Sequence, residues 1–233
     1  MLNEYTNLIA EFGIGGAHPG GLSFSKEILT NENIDSNDII LEVGCGTGQT
    51  TAYLALNGHT VVPIDSHPKM VEKANNRFQQ LFLPCKAQIA DIHDLPFEKD
   101  SFDIVVAESV LSFTNLDQSL ANIHDVLKKG GKLIALEMTK KDSIKDEFLG
   151  SIKKHFGTPQ ILSKSMWENK LKKHGYDPIR FQTISLHDLP TPEQDIAPSD
   201  IIDDKYYELM FKHEKIVRKS RNMLSLGVIV AQK

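Results

Sequence analysis

Residues 39–48 read Ile-Ile-Leu-Glu-Val-Gly-Cys-Gly-Thr-Gly and are followed by a helix-like segment that begins at Gln49. The apolar start is typical of a buried strand, and the glycines at every second position indicate a turn from that strand into the helix. Such a turn brings bare backbone close to a small ligand and points the first N–H groups of the helix at any negative part of it. The stretch therefore predicts a ligand site at a strand-to-helix turn.

Strand-like and helix-like segments alternate along most of the chain. We expect strands at residues 39–43, 60–64, 86–89, 102–107, 132–137, 178–186 and 223–231. We expect helices at residues 2–12, 23–31, 49–57, 68–78, 144–155, 163–174 and 204–219, and one that runs from Leu116 to a stop at Gly130-Gly131. Because short β-rich runs separated by helices form parallel strands with both faces covered, this pattern predicts an α/β fold. Right-handed crossovers place the carboxyl ends of the strands along one edge, where open α/β sheets bind ligands.

The composition limits the classes of protein to which the chain can belong. Its 233 residues, 40% of them hydrophobic, are enough for one large domain, and the formal net charge of -5 favours neither nucleic acid nor an anionic membrane as a partner. The two cysteines, Cys45 and Cys85, form no metal-binding or disulfide pattern, so we expect a reduced cytoplasmic protein without a metal site. Residues 1–12 lack the basic start and apolar run of a signal peptide, and we expect no membrane-spanning segment.

The spacing of the glycines restricts the ligand that the turn can hold. A dinucleotide fingerprint needs its third glycine at position 49, which is Gln49 here, and the Gly-Lys-Ser/Thr ending of a P-loop is missing. Glu42 lies just before the glycines, and its carboxylate would repel a polyphosphate. A nicotinamide dehydrogenase is therefore the weakest alternative, and a ligand that carries positive charge fits better.

Asp65 and Asp91 follow the second and third predicted strands. Either aspartate alone is typical of a turn or a helix cap. Their placement after successive strands instead indicates a nucleoside, because a carboxylate at the end of the second strand can accept hydrogen bonds from both ribose hydroxyls. Asp91 is then positioned to accept a hydrogen bond from the exocyclic amine of a purine.

Five motifs occur in an order that resembles the class I S-adenosylmethionine-dependent methyltransferases, in the small-molecule branch that includes the ubiquinone/menaquinone-type C-methyltransferases. The motifs are Leu-Glu-Val-Gly-Cys-Gly-Thr-Gly at 41–48, Ile-Asp at 64–65 with Met70 following, Ala-Asp-Ile-His-Asp-Leu-Pro-Phe at 90–97, Ser-Phe-Asp-Ile-Val at 101–105 and Leu-Lys-Lys-Gly-Gly-Lys-Leu at 127–133. Each motif is weak alone, but together they are specific and cover about residues 38–138. The resemblance implies a Rossmann-like, seven-stranded, mostly parallel sheet with helices on both faces and one antiparallel strand, which residues 223–231 would supply.

The resemblance also implies that S-adenosyl-L-methionine is the methyl donor, and it assigns the contacts of this donor. Glu42 would orient the glycine turn and the ammonium group of the donor, Asp65 would bind the ribose hydroxyls, and Glu108 would meet the methionine part. The residues of the turn that would lie against the methionine part and the ribose are Gly44, Cys45, Gly46 and Gly48. The residues implied around the adenine are Ser66, Met70, Asp91 and Ile92, the last through its backbone N–H.

The acceptor is marked less clearly, because in-line displacement from an activated sulfonium needs alignment and exclusion of water more than reactive side chains. The fourth predicted strand ends in Ala-Glu-Ser-Val-Leu at 107–111. It lacks the Asp/Asn-Pro-Pro-Tyr/Phe sequence of amino-directed DNA methyltransferases and of some RNA and protein methyltransferases. Together with the acidic net charge, this favours a small-molecule acceptor. The candidate catalytic bases are His18 and Glu108, with His124 and Tyr5 as further candidates.

Residues 13–21 contain five glycines and a proline and lie between two predicted helices. We expect this segment, which includes His18, to form a lid over the donor. We expect a single domain over residues 1–233. Its parts are 1–37 with the N-terminal helices and the lid, 38–138 as the donor-binding core, and 139–175 and 187–222 as insertions that build the acceptor pocket.

Two other functions remain open from the sequence. A catalytically silent S-adenosylmethionine-binding protein would keep the glycine turn and the carboxylates without a working acceptor pocket. An RNA or protein methyltransferase would use the lysine-rich stretch at residues 128–173. The sequence does not indicate the oligomeric state.

Overall fold

The computed structural model describes residues 3–233. Leu2, which belongs to the predicted first helix, lies outside the described residues. The α-helices are α1 (Glu4–Phe12), α2 (Gly21–Asn31), α3 (Gln49–Leu56), α4 (Pro68–Gln80), α5 (Leu116–Val126), α6 (Gly150–Phe156), α7 (Lys164–Lys173) and α8 (Asp204–Ser220). Short 3₁₀ helices cover Leu111–Phe113 and Asp146–Leu149. The strands are β1 (Ile39–Val43), β2 (Thr60–Asp65), β3 (Gln88–Ile89), β4 (Phe102–Glu108), β5 (Leu127–Lys140), β6 (Leu162–Ser163), β7 (Ile179–Ser185) and β8 (Leu224–Gln232).

These strands form one sheet in the order β3-β2-β1-β4-β5-β8-β7, and β6 pairs with β5 outside this path. β8 runs antiparallel to both of its neighbours, whereas the remaining pairs are parallel. The predicted Rossmann-like, mostly parallel sheet with one antiparallel strand near residues 223–231 is therefore confirmed.

The sheet has one short strand more than the seven predicted. β5 extends over 14 residues rather than the predicted 132–137, and its end at Thr139 and Lys140 pairs with β6. Gly130-Gly131 lies within β5 instead of ending the preceding helix, which stops at Val126. The chain leaves the helix earlier because Leu127 already has extended backbone and is fully buried in the core.

The helix predicted at residues 144–155 is also shorter, and it is replaced by the 3₁₀ helix at Asp146–Leu149 and by α6. The buried residues of this stretch are Leu149, Ile152 and Phe156, which belong to one hydrophobic cluster with α1 and α8. Their spacing of three and four residues places them on one side of the two consecutive helices, so packing against α1 and α8 determines where the regular helix begins.

Helices cover both faces of the sheet, as predicted. On one face Ile40, Ile104 and Ile134 pack with Leu29 of α2 and Leu54 of α3. The opposite face carries their sequence neighbours Leu41, Val105 and Leu133, which pack with α5 and α7. Because parallel strands are buried on both faces, successive residues of β1 and β4 are apolar, and this explains their continuous hydrophobic runs.

Candidate active site

A cavity of about 1140 Å³ opens at the edge of the sheet where the carboxyl ends of β1, β2 and β4 lie. Pockets for a single small ligand usually measure roughly 300–1000 Å³, so this one has room for two small molecules. Its floor is formed by residues 42–47, 64–67, 90–93 and 108–110, at the ends of these strands and in the turns after them. Its other walls are formed by residues of α1, residues 14–20, Leu186, residues 189–196 and one side of α8.

The structure brings ten of the eleven predicted donor residues to this cavity. The ten are Glu42, Gly44, Cys45, Gly46, Asp65, Ser66, Met70, Asp91, Ile92 and Glu108. Gly48 is the exception, because it lies under the ring of Phe78 on α4. A Cβ at Gly48 would lie 2.6 Å from that ring. This glycine therefore permits the packing of α3 against α4 and does not take the predicted place against the donor.

Within the glycine turn, Gly46 lines the cavity and has free space on the side where a Cβ would lie. It has a φ of 55°, and a Cβ at this position would meet no atom within 4 Å. Gly44, in contrast, packs closely against Val110. The backbone at Gly46 can therefore approach a ligand without an intervening side chain.

Asp65 ends β2 and holds the glycine turn from the side. Its Oδ2 accepts a hydrogen bond from the Gly46 N–H at 2.9 Å, and its Oδ1 accepts one from the His67 N–H at 2.8 Å. Burial raises the pKa of the Asp65 carboxyl, although these two hydrogen bonds oppose the shift. Each carboxylate oxygen can accept two hydrogen bonds, so one acceptor position on each oxygen remains for a ligand.

Glu42 lies beneath the turn and is only 3% exposed. Its Oε2 accepts a hydrogen bond from the Thr51 hydroxyl on α3. Burial, reinforced by the nearby carboxylate of Glu108, raises the pKa of Glu42 to about 8. The side chain is therefore protonated at neutral pH in the free protein, and a cation bound beside it would favour the ionised form.

Asp91 lies in the turn after β3, and its position is held by His93. Oδ1 of Asp91 accepts hydrogen bonds from the backbone N–H of His93 at 2.9 Å and from its Nδ1 at 2.7 Å. Nε2 of His93 accepts a hydrogen bond from the Asn115 N–H at 3.0 Å. Although burial opposes ionisation, the hydrogen bonds from His93 lower the pKa of Asp91. Oδ2 of Asp91 stays available at the cavity for an amine.

His18 is buried in the cavity wall, where it lies beside Glu108, the other candidate base. Its Nδ1 lies 3.2 Å from the carbonyl oxygen of Pro19, and its Nε2 lies 3.1 Å from Oγ of Ser25 and 3.7 Å from Oε2 of Glu108. If Nδ1 donates to the carbonyl, Nε2 carries a lone pair and can accept a proton. Glu108 accepts a hydrogen bond from Thr50 on α3 at 2.8 Å.

The two further candidate bases have different positions. Tyr5 lines the cavity, whereas His124 does not and packs edge-on against the ring of Tyr176 on the far side of α5. The structure therefore separates His124 from the chemistry.

The glycine-rich segment 13–21 pairs with the segment that precedes α8. The Gly15 N–H donates to the Asp195 carbonyl at 2.8 Å, and the Ala197 N–H donates to the Gly13 carbonyl at 3.0 Å. Arg77 of α4 forms a salt bridge with Asp195 at 2.6 Å and also donates to the carbonyl of Thr47 in the glycine turn at 2.8 Å. Both segments line the cavity, and Arg77 connects them to its floor.

We expect S-adenosylhomocysteine to slow hydrogen exchange at the amides of residues 13–21 and at Asp195 and Ala197, because a ligand on the glycine turn stabilises the paired segments above it. Hydrogen-exchange mass spectrometry with and without this ligand measures the effect. Asp195→Asn should reduce the protection, whereas Asp188→Asn, an exposed position in the same stretch, should not. Identical exchange in both states would show that residues 13–21 form a linker and not a lid.

Glu137 is a buried carboxylate at the cavity wall that the sequence analysis did not single out. It is fully buried in β5 at the cavity wall, and its carboxylate accepts four hydrogen bonds from the turn after β4. The donors are the N–H groups of Val110, Leu111 and Ser112 and the hydroxyl of Ser112, at 2.6–3.1 Å. Burial raises the pKa of Glu137 to about 7 against these hydrogen bonds. The sequence feature that could have drawn attention to Glu137 is its position directly after four apolar residues of a core strand.

Gln49 is a second residue that the sequence left without a role. Its Oε1 is buried at the cavity and accepts no hydrogen bond from any of the described residues 3–233. A buried acceptor without a donor is costly, so a ligand hydroxyl or ammonium would satisfy it. Its position as the first residue of α3 was visible in the sequence, but the direction of its side chain was not.

Acidic residues far outnumber basic ones around the cavity. Within the part of the chain that the structure describes, Arg221 is the single arginine or lysine of its lining. The acidic residues of the lining are Glu42, Asp65, Asp91, Glu108, Glu137, Glu193, Asp195 and Glu214. Three or more His, Cys, Asp or Glu side chains suited to a metal ion do not come together anywhere in residues 3–233. No helix of the same residues is long and apolar enough to cross a membrane.

Comparison with known proteins identifies relatives of this fold and site. Residues 41–135 match a family model described as a methyltransferase domain. The uncharacterized methyltransferase YodH of Bacillus subtilis is 34% identical over 235 residues, which span 100% of both chains.

Solved structures have the same fold at lower identity. A phosphoethanolamine N-methyltransferase 2 of Haemonchus contortus in complex with S-adenosyl-L-methionine has a TM-score of 0.78 at 18% identity. The match covers 98% of this chain but only 57% of the nematode chain. The [4+2]-cyclase SpnF has a TM-score of 0.75 at 19% identity and covers 98% of this chain and 92% of its own.

The family model matches the strands and turns that form the cavity floor. The Bacillus relative extends the similarity to the N-terminal and C-terminal segments that form the other walls. The glycine turn, Asp65, Asp91 and Glu108 all lie within the residues that the family model matches and line the cavity. The chain belongs to the S-adenosylmethionine-dependent methyltransferases and uses S-adenosyl-L-methionine as its methyl donor.

Proposed function

We propose that the protein transfers the methyl group to a small-molecule acceptor that binds in the apolar half of the cavity. The observation that carries this proposal is the division of one continuous cavity into two chemically different halves. The donor half is the floor of glycine turn and carboxylates. The other half, here called the acceptor lobe, is lined by Tyr5, Leu8, Ile9, Phe12, Phe113, Glu137, Met138, Phe156, Leu186, Leu189, Met210, His213, Glu214 and Val217.

The predicted insertions contribute unequally to the acceptor lobe. Residues 187–222 supply the wall formed by α8 and the segment before it, whereas residues 139–175 supply only Phe156. Apolar side chains from α1, α6 and α8 belong to a single hydrophobic cluster, so the lobe is continuous with the core beneath it. A mostly apolar, partly enclosed lobe suits a small molecule better than a nucleic acid or a protein segment.

The residues of the donor half fit the donor on three counts. The open side of Gly46 leaves space for it, the free acceptor positions of Asp65 suit a ribose diol, and the unpartnered Oε1 of Gln49 suits a hydroxyl or ammonium. We assign the ammonium of the methionine part to Glu42, and the adenine amine to Asp91. Ser66, Met70 and the Ile92 N–H border the adenine in this assignment.

When bound, the donor supplies a methyl group attached to a sulfonium sulfur. The acceptor atom forms a bond to the methyl carbon as the bond between carbon and sulfur breaks, and the sulfur leaves as a neutral thioether. The chain aligns the two molecules along the cavity and excludes water with residues 13–21 and 186–196. His18 is the group that we propose to take a proton at Nε2 from an acceptor that must lose one, and Glu108 stabilises the resulting imidazolium.

We further propose that the protein belongs to the ubiquinone/menaquinone-type branch of the methyltransferases. The order of the sequence motifs is the single observation that supports this assignment. The relatives named above differ in what their names say they act on, so their acceptors do not transfer to this chain. A protein named as a cyclase has the same fold over nearly the full length, so the fold alone does not specify methyl transfer. A donor-binding protein without methyl transfer is therefore the alternative to test.

Calorimetric titration should show binding of S-adenosylmethionine and S-adenosylhomocysteine and no binding of NAD, since the turn lacks the dinucleotide spacing. Incubation with methyl-labelled donor and a protein-free metabolite extract should then move the label to a small molecule. Label that moves only to RNA, with retention of RNA that weakens as salt rises, would contradict a small-molecule acceptor. Donor binding without transfer to any fraction would favour the silent alternative.

A further inference from the structure

We propose that the acceptor is an uncharged, largely apolar molecule with a hydroxyl or carbonyl group, and that Tyr5 and His213 bind this polar group. The proposal rests on the proposed function, because it concerns what the acceptor lobe selects. It specifies the charge and the polarity of the substrate, neither of which follows from methyl transfer itself.

An anionic acceptor conflicts with the charges of the cavity. Glu108, Glu137 and Glu214 face or border the acceptor lobe, and Arg221 is the single arginine or lysine of the lining in residues 3–233. Arg221 lies at the end of α8 and is exposed, so solvent screens its charge. A phosphate or carboxylate in the lobe would lose its hydration without gaining a buried cation, which is unfavourable.

A cationic acceptor also lacks a buried partner. The carboxylate of Glu137 accepts two hydrogen bonds on each oxygen, which uses the four positions available to it. Glu108 already accepts from Thr50 and lies beside His18. Glu214 is exposed on α8 at the mouth of the lobe, where water competes with an ion pair. An uncharged acceptor is the form that this lobe accommodates best.

Two neutral polar side chains lie within the apolar wall. Nδ1 of His213 is 3.1 Å from Nε2 of His155, and the ring of Tyr5 lies on His213 with centroids 5.4 Å apart. Burial, reinforced by His155, lowers the pKa of His213 to about 4, so the imidazole is neutral at physiological pH. Burial also raises the pKa of the Tyr5 hydroxyl, which therefore keeps its proton.

The hydrogen bond between the two histidines leaves one ring nitrogen of His213 free. One proton is shared along the Nδ1–Nε2 contact, so Nε2 of His213 is an acceptor if Nδ1 donates and a donor if Nδ1 accepts. The Tyr5 hydroxyl can both donate and accept. A hydroxyl or carbonyl group of a neutral ligand matches this pair, whereas the surrounding residues Leu8, Phe156 and Val217 favour an apolar body.

A matched set of fluorescent probes tests the charge preference. The probes are 2-naphthol, 2-naphthoate, 2-naphthylmethylammonium and 2-methylnaphthalene, titrated at neutral pH in the presence of saturating S-adenosylhomocysteine. We expect 2-naphthol to bind at least about tenfold more tightly than either charged probe and about fivefold more tightly than 2-methylnaphthalene. Equal or tighter binding of 2-naphthoate or 2-naphthylmethylammonium would overturn the proposal.

Two variants test the residues. His213→Phe should abolish the preference for 2-naphthol over 2-methylnaphthalene while both still bind, and His187→Phe, an exposed position outside the cavity, should keep it. Glu214→Lys should tighten the binding of 2-naphthoate severalfold, whereas Glu208→Lys on the exposed side of the same helix should not. An unchanged preference in His213→Phe would overturn the role of this histidine.

The outcome also separates this inference from the proposed function. If S-adenosylhomocysteine binds and none of the four probes does, the acceptor lobe is not a binding site, and both proposals fail. If the probes bind without discrimination by charge, the acceptor lobe stands and only the proposed selectivity fails.

Discussion

We expect Asp65→Ala to lower the affinity for S-adenosylhomocysteine by about one to two orders of magnitude while the protein remains folded. The substitution removes the carboxylate to which we assign two ribose hydrogen bonds, and loss of such contacts to a charged group costs roughly 1.5–3 kcal/mol of binding free energy. It also releases the Gly46 N–H, which Asp65 holds at 2.9 Å, so the turn itself is less well ordered for the ligand. Isothermal titration calorimetry measures the affinity, and thermal unfolding measures the stability.

Two further variants control this result. Asp65→Asn keeps the size and one carbonyl oxygen, so we expect an intermediate loss of affinity. Asp125→Ala removes a half-exposed carboxylate whose partner is Lys99, away from the cavity, and should leave the affinity unchanged. If Asp65→Ala unfolds the protein and the folded fraction retains its affinity, Asp65 is a structural residue and the ribose assignment is wrong.

Glu42→Gln is expected to weaken binding of the donor by about tenfold or more at pH 8.5 and to stabilise the ligand-free protein at the same pH. The affinity falls because a neutral amide cannot compensate the ammonium group, and hydrogen bonds to charged groups contribute roughly 1.5–3 kcal/mol. The stability rises because the ionised form of Glu42 is buried with a single hydroxyl donor, that of Thr51. Function and stability therefore change in opposite directions at this position.

The contribution of Glu42 to folding stability decreases as the pH rises. Burial raises the pKa of Glu42 from 4.5 to about 8 in the folded protein, so this group favours folding fully below pH 4.5 and loses that contribution as the pH rises through about 8. Chemical denaturation of the wild type and of Glu42→Gln should therefore diverge between pH 6 and pH 9, by on the order of 2–3 kcal/mol. Donor affinity of the wild type should rise over the same range, because binding needs the ionised carboxylate.

Other titrating groups do not affect the comparison between the wild type and Glu42→Gln. Glu137, whose pKa is raised to about 7, contributes equally to both proteins, so the difference between wild type and Glu42→Gln isolates Glu42. If the variant binds the donor as tightly as the wild type and is less stable at every pH, Glu42 anchors the turn through Thr51 and does not meet the ammonium.

Much of the cavity floor could be predicted because its residues lie at the ends of consecutive strands or in the short turns after them. The positions of Asp65 and Asp91 follow from the ends of consecutive parallel strands, which must meet at one edge of the sheet. Gly46 belongs to a turn of a few residues whose geometry is local. The contact that the sequence misplaced is Gly48, because the ring that occupies its neighbourhood belongs to Phe78, thirty residues later.

The glycine-rich segment 13–21, which we predict to be a lid, could be predicted only in part. The composition of residues 13–21 predicts a non-helical segment between helices, and this holds from Gly13 to Gly20. Its partner, the segment from Asp195 to Ala197, has no local feature that marks it as the other half of the cover. The pairing joins positions about 180 residues apart through direct backbone hydrogen bonds, and Arg77 links Asp195 to the glycine turn.

The sequence by itself determined the alternation of strands and helices and placed the glycine turn, Asp65 and Asp91 at the ends of strands, since each depends on periodicity or on spacing within a short stretch. The antiparallel last strand followed from the resemblance to the methyltransferase family. Only the tertiary structure decided the acceptor lobe, the hydrogen bonds of Glu137 and the pairing of His213 with His155. The physical reason is that an apolar helical face must be buried, but its pattern does not specify the partner. The faces of α1, α6 and α8 meet because the sheet beneath them fixes where each helix can pack.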